Sequence, residues 1–262
     1  MGTKVKKAVI IILPVVFAIA ASVAVALLVS GGMRQVPSDP LPEESGLPTS
    51  SESDAEVNAP PENEGEKGYS EGLEYTSASD GGAAVSGIGS CRDKIVKIPA
   101  NAPDGKPVTE ISDGAFKSEG DIEGVILPGS VMRIGKSAFR KSGIKSIELG
   151  SSVLYIGEYA FAECLSLTKI KVSGANPVFC SSGGVLYDRG MTQLICYPSG
   201  KPEAKYTLPR SIVSIGGMAL SSVSSLKTIE YGGTEKEWSK VAVASGNDTL
   251  DSVRMEYAPA DK

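Results

Sequence analysis

The fold is decided by residues 108–174, where one phrase is repeated: VTEISDGAFKSEGDIEGVILPGS from Val108, VMRIGKSAFRKSGIKSIELGSS from Val131 and VLYIGEYAFAECLSLTKIKVSG from Val153. Phe116, Phe139 and Phe161 are 23 and 22 residues apart, and Ile111, Ile134 and Ile156 keep the same steps. Val125, Ile147 and Ile170 run at 22 and 23, as do Leu127, Leu149 and Val172. Four apolar columns at one period mark stacked units, none of which buries its apolar face alone. The expected fold is a solenoid. In Ile147-Glu148-Leu149 and its counterparts the outer two residues face inward and the middle one outward, the period-2 signature of a strand. The Ala-Phe segment returns the chain, and the glycine after Ile134, Ile156 and Ile215 is read as permitting a tight turn.

Outward from this stretch the period continues with two interruptions. Ile95–Pro99 resembles the Val125–Pro128 strand, and six extra residues at 101–106, around Pro103-Asp104-Gly105, have turn chemistry. From Ile156 to Ile215 is 59 residues, one period plus 36, and inside it Gly184–Tyr187 and Met191–Tyr197 flank Asp188-Arg189-Gly190 as a hairpin inserted on one edge. The period resumes at Leu208 and Tyr231, which gives six coils anchored at Ile98, Leu127, Leu149, Val172, Leu208 and Tyr231. Leu73–Thr76 and Ala83–Ile88, around Ser79-Asp80-Gly81-Gly82, form an N-terminal hairpin cap. Thr234–Glu237 is a capping box opening a short helix whose Trp238 and Val241 would cover the last coil, with a final strand in Leu250–Tyr257. Trp238 is read as core of this cap rather than as a ligand platform.

Residues 1–33 are of another kind. Lys4, Lys6 and Lys7 precede the uncharged apolar run Ala8 to Val29, whose 22 residues span a ~30 Å hydrocarbon layer at ~1.5 Å rise each. It is longer than the usual h-region of ~7–15 residues, which favours an uncleaved signal anchor over a cleaved signal peptide. The lysines place the N-terminus in the cytoplasm and the rest outside; the chain is secreted if the leader is cut. Residues 34–70 hold six prolines, nine acidic residues and two basic ones, the composition of a disordered linker spanning roughly 33 Å. The expected domains are 1–33, the membrane anchor; 34–70, the linker; and 71–262, the repeat domain. The last divides into an N-cap at 71–93, repeats at 94–231 with an inserted hairpin at 176–200, and a C-cap at 232–262.

Net charge is −5 and there is no histidine. That leaves no basic field for nucleic acid, no Ser–His or Cys–His nucleophile pair and no His-containing zinc site. Cys91, Cys164, Cys180 and Cys196 are spaced by 73, 16 and 16, so no C-x-x-C metal or dithiol motif is present. They read as small buried hydrophobes, with a Cys180–Cys196 disulfide as the alternative outside the cell. No cofactor is implied.

The recurring I-x-x-x-A-F, L-x-x-I-x-L-P and V-x-x-I-G phrases resemble the leucine-rich repeat of bacterial surface antigens, the BspA-like class, over roughly residues 72–257. The NPVF…GGVLYD…LICYPSGK stretch and the YGGTEKEW ending are similar too, while Ser118–Asp121 and Leu220 depart from the pattern. The resemblance implies a right-handed leucine-rich-repeat solenoid, of the α/β horseshoe class, β-rich with short helical or 3-10 turns, on a secreted or surface-exposed protein. It implies adhesion or host interaction and no catalytic residues.

Outward strand positions then line up as Glu123, Lys145, Thr168 and Lys227; as Gly124, Ser146, Lys169 and Thr228; and as Ile126, Glu148, Lys171 and Glu230. Such a face is ordinarily a solvated sheet surface, and solenoid sheets also bind protein or glycan partners. The candidate binding residues are Ile126, Lys145, Glu148, Lys169, Lys171 and Glu230, with the tip Asp188–Gly190 as a second place. The reading is a membrane-tethered binding or adhesion module for a protein or glycan ligand outside the cell; the alternative is a structural or assembly component of the envelope. A hydrolase needs two carboxylates ~5–10 Å apart in a cleft, and Glu148 and Glu230 on a flat sheet do not meet that need.

Overall fold

The structure is a computed structural model and describes residues 68–259. The apolar segment Ala8 to Val29 and nearly all of the linker lie outside the described residues. Among the described residues no helix is long and apolar enough to cross a membrane.

β1 (Glu74–Ser77) and β2 (Ala83–Gly87) form the expected antiparallel hairpin. From β2 onward the chain winds in coils, each giving one strand to each of two parallel ladders. The coils hold β2 and β3 (Ile95–Lys97); β4 (Val108–Ile111) and β5 (Gly124–Ile126); β6 (Arg133–Ile134) and β7 (Ser146–Leu149); and β8 (Tyr155–Ile156) and β9 (Lys169–Val172). One ladder runs β1-β2-β4-β6-β8, the other β3-β5-β7-β9. β10 (Phe179–Ser182), β11 (Val185–Asp188) and β12 (Gln193–Cys196) follow. The coils then resume with β13 (Lys205–Leu208), β14 (Ser214–Ile215), β15 (Thr228–Tyr231), helix α1 (Glu235–Trp238), β16 (Ala242–Val243), a 3-10 turn at Asp248–Asp251 and β17 (Arg254–Tyr257). The second pair of ladders is β10-β11-β12-β14-β16 and β13-β15-β17. The fold is a leucine-rich-repeat β-solenoid with few helices. Between the paired strands of the central coils the chain runs through turns rather than the expected helical segments.

Each period is visible as a hydrogen bond to the next coil. The N–H of Phe116 donates to the Ala138 carbonyl at 2.7 Å, and that of Phe139 to Ala160 at 2.8 Å. The rings follow the backbone: Phe116, Phe139 and Phe161 stack at 5.3 and 5.6 Å, within 6° of parallel. The backbone of the return turn repeats as well. Ser118, Lys141, Glu163 and Ser222 all adopt left-handed φ between 56° and 65°, and Ser137, Tyr159 and Met218, four residues before Lys141, Glu163 and Ser222, adopt 54° to 61°. The glycines after the ladder isoleucines serve another purpose than the one expected. Gly135 and Gly157 do not have positive φ; a Cβ would lie 2.5 Å from the Asp113 nitrogen and 2.4 Å from the Lys136 nitrogen of the preceding coil. Close approach between coils is what demands glycine.

The second interruption holds the expected hairpin, β11 pairing antiparallel with β12 across Asp188–Gly190, and adds a further strand, β10, before it. β10 and β11 pair antiparallel and dock on β9, where the Ile170 N–H donates to the Gly184 carbonyl at 2.9 Å. β12 is a regular coil strand, parallel to β14 with Leu194 beside Ile215. Its coil is disguised because Tyr197 follows Leu194 by three residues, where Phe139 follows Ile134 by five. Cys180 and Cys196 lie on strands that flank β11, opposite Tyr187 and Leu186, so β11 separates them. All four cysteines are free, and burial pushes the Cys164, Cys180 and Cys196 thiols up.

Two boundaries move. Ser70, assigned from sequence to the linker, is buried; its hydroxyl donates to Asp93 at 2.6 Å and its N–H to the Lys97 carbonyl at 2.9 Å. At the other end α1 has the capping box on Thr234 and Glu237, and Trp238 packs on Tyr231 at 5.3 Å. The helix links β15 to β16, and β16 and β17 extend the two ladders by one more coil.

Candidate binding face

The β3-β5-β7-β9 ladder has one side in the core and one in solvent. Val96, Val125, Ile147 and Ile170 are buried beneath it, a direct consequence of strand alternation. Outward stand Ile95, Lys97, Ile126, Glu148, Lys169 and Lys171. Ile126 lies beside Lys97 in the register and Ile95 beside Gly124. Ile95 and Ile126 are 44% and 52% exposed, large values for isoleucine on a sheet. Gly124 leaves room for Ile95: a Cβ there would come within 3.2 Å of the Ile95 Cδ1.

Charge surrounds the apolar centre. Glu123 accepts from Lys145 at 2.6 Å and from Lys94 at 3.2 Å, and these two ammonium groups, Lys145 foremost, hold its carboxyl below the ordinary range. Glu148 pairs with Lys171 one coil on, which lowers its carboxyl in the same way. Lys169 and Lys97 have no ion pair among the described residues, and the stem of Lys169 runs along Gly184 of the docked hairpin. Beside the face a shallow groove of about 450 Å³ is lined by Arg92, Lys94, Asp121, Glu123, Lys145 and Ser166.

The sequence-derived patch therefore splits. Ile126, Lys145, Glu148, Lys169 and Lys171 share one ladder. Glu230 stands on β15 in the other ladder, beyond the β10–β11 hairpin, held by Lys205 at 2.7 Å and the Thr207 hydroxyl at 3.0 Å. The column drawn from Lys171 to Glu230 broke because a strand pair is wedged where the period was assumed to continue. Asp188 is committed to its turn, accepting from the Thr192 N–H and hydroxyl at 2.7 Å each and from the Gln193 N–H at 2.5 Å. Sequence reasoning passed over Ile95, Lys94 and Lys97. The signal was present: with Val96 and Ile98 inward, Ile95 and Lys97 must face out.

Among the described residues no cluster of three or more Cys, Asp or Glu could hold a metal ion. Glu148 and Glu230 lie on separate ladders, each bound to a lysine.

The repeat with its inward Ile, stacked Phe and tight inter-coil glycine matches the family described as a BspA type leucine rich repeat region (6 copies), over residues 108–179. Over that stretch the chain is similar to BspA-type leucine-rich repeats. The leucine-rich-repeat structures similar to it include a leucine rich cell surface protein from Faecalibacterium prausnitzii A2-165, 26% identical over 58% of this chain and 37% of that one, with a TM-score of 0.49. The chain thus spans little more than a third of that protein. A leucine rich repeat protein from T. pallidum is 23% identical over 67% of this chain and 79% of that one, TM-score 0.44. The pneumococcal vaccine antigen PcpA is 21% identical over 53% and 45%, TM-score 0.31. The comparison with curated proteins finds no match.

Proposed function

We propose that the repeat domain is an extracellular recognition module, tethered through Ala8 to Val29, that binds an anionic protein or glycan ligand on the outer side of the β3-β5-β7-β9 ladder. One observation carries this reading. The exposed Ile95 and Ile126 sit in a rim where Lys94, Lys97, Lys145, Lys169 and Lys171 stand with Asp121, Glu123 and Glu148, on a chain whose net charge is −5. An apolar centre with a charged rim is the anatomy of a protein interface. A cationic patch on an acidic protein concentrates anionic partners at that place.

The test is binding of the full chain, reconstituted in lipid nanodiscs, to a panel of matrix proteins and acidic glycans, beside the variant K145E/K169E/K171E. Specific binding that the variant loses supports recognition through this face. Binding that survives the triple change moves the site elsewhere on the domain. Absence of any foreign ligand favours a structural or assembly role in the envelope.

A further inference from the structure

The two ends of the solenoid are finished differently. At the N-terminal end the β1–β2 hairpin closes the first coil, and Ala84 and Val85 are fully buried there. At the other end, among the described residues, β16 and β17 are the outermost strands of their ladders. Ile229 and Tyr231 of β15 are 1% and 3% exposed, whereas their β17 neighbours Met255 and Tyr257 are only half-buried. Val243, beside the buried Ile215, is 43% exposed. A terminal repeat needs a cover for its apolar side, and an edge strand offers a row of unpaired N–H and C=O groups.

The sequence of β17 specifies what fits. The Arg254 N–H donates to the Lys227 carbonyl of the neighbouring strand at 2.8 Å, so Arg254 and Glu256 turn their backbone groups toward β15. By alternation Met255 and Tyr257 turn theirs to the open edge, as does the carbonyl of Val253. Two β17 strands running antiparallel about a twofold axis at Met255 satisfy these groups mutually, Met255 with Met255 of the second copy and Tyr257 with Val253 of the second copy. That same register sets Arg254 opposite Glu256 of the second copy in a non-hydrogen-bonded pair, where side chains approach most closely. Arg254 is exposed, and its ion pair among the described residues is with Glu256 of its own strand at 3.4 Å. Moving the axis by one residue would face Glu256 with itself and turn the free backbone groups away. Hydrogen bonding, charge and burial all select one register.

We propose that β17 is a homodimer edge, on which a second copy of this chain pairs antiparallel through Arg254–Tyr257, joining the two three-stranded ladders into one sheet and closing both open cores. The experiment is sedimentation equilibrium of the full chain in density-matched detergent, for wild type, E256R and the charge swap R254E/E256R. Wild type is expected to dimerise, E256R to dissociate about tenfold more readily because like charges then face each other across the strand pair, and the swap to recover the wild-type constant. Circular dichroism melting of each variant separates lost pairing from lost folding. A monomeric wild type at its highest soluble concentration overturns the proposal. So does a dimer whose constant E256R leaves unchanged, since that dimer is held elsewhere. An E256R dimer that weakens without recovery in the swap also overturns it, because the Arg254–Glu256 pairing is then not the contact.

Discussion

Tyr197 holds in its coil the place that Phe139 holds two coils earlier. The N–H of each donates at 2.8 Å to the carbonyl of the alanine one coil on, Ala219 for Tyr197 and Ala160 for Phe139. The substitution has a consequence, because the buried Tyr197 hydroxyl has no hydrogen-bond partner among the described residues. Its ring still packs, edge-on to Tyr206 at 5.0 Å. Removing an unsatisfied buried hydroxyl while keeping the ring removes a desolvation cost. Tyr197→Phe should therefore raise stability by on the order of 1 kcal/mol in urea denaturation; a loss of stability would show that the hydroxyl is bonded.

Phe139 is the middle ring of the stack, with Phe116 and Phe161 on either side. Phe139→Ala opens a cavity that two ordered neighbours cannot easily collapse into, and should cost about 3–5 kcal/mol. Phe139→Leu should cost much less, since Leu220 fills the equivalent place and is itself 1% exposed. Urea midpoints of the two variants check this ordering.

Asn176 is a buried polar hub. Its Nδ2 donates to the Gly150 and Val153 carbonyls at 2.8 Å each, and its Oδ1 accepts from the N–H groups of Val178 and Phe179 at 2.9 and 2.8 Å. It closes the coil just before the β10–β11 hairpin. Asn176→Ala leaves these groups unsatisfied and should destabilise by about 2–4 kcal/mol, from a net ~1 kcal/mol per lost bond. Hydrogen exchange should show the loss concentrated at β9 and β10.

Glu237 gives a pH signature. The Thr234 N–H, first, and then the Arg210 guanidinium hold its carboxyl at about 2, below the ordinary 4.5. Because the folded value lies below the unfolded one, its contribution is complete above about 4.5 and fades as pH falls toward 2. Glu237→Gln should melt below wild type at neutral pH, and the gap should close across that acid window. A gap independent of pH would mean that the carboxylate charge plays no part.

Much of this was open to reading in the chain itself. The Phe, Ile and Leu columns are periodic because each coil repeats the same burial, so sequence spacing reports the stacking directly. The capping box at Thr234 and the hairpin at Asp80-Gly81 are local chemistry, decided within a few residues, and both stand where expected. The coil through Tyr197 was hidden because its turn is two residues shorter, which hides a period even though the ladder register is kept. The candidate face is legible only in part for a related reason. Its lysines follow from alternation, but which columns are continuous depends on where the β10–β11 hairpin docks.

The sequence by itself determined that this chain is a solenoid of stacked repeats and which residues point inward, and it holds no histidine. The tertiary structure decided that Glu230 stands apart from Lys145 and Lys171, that Cys180 and Cys196 are separated by β11, and that β17 is an edge strand among the described residues. The physical reason is one of range. Burial and turn chemistry act on residues close in sequence and leave a periodic trace, whereas strand neighbours across an insertion are fixed only when backbone hydrogen bonds close between coils.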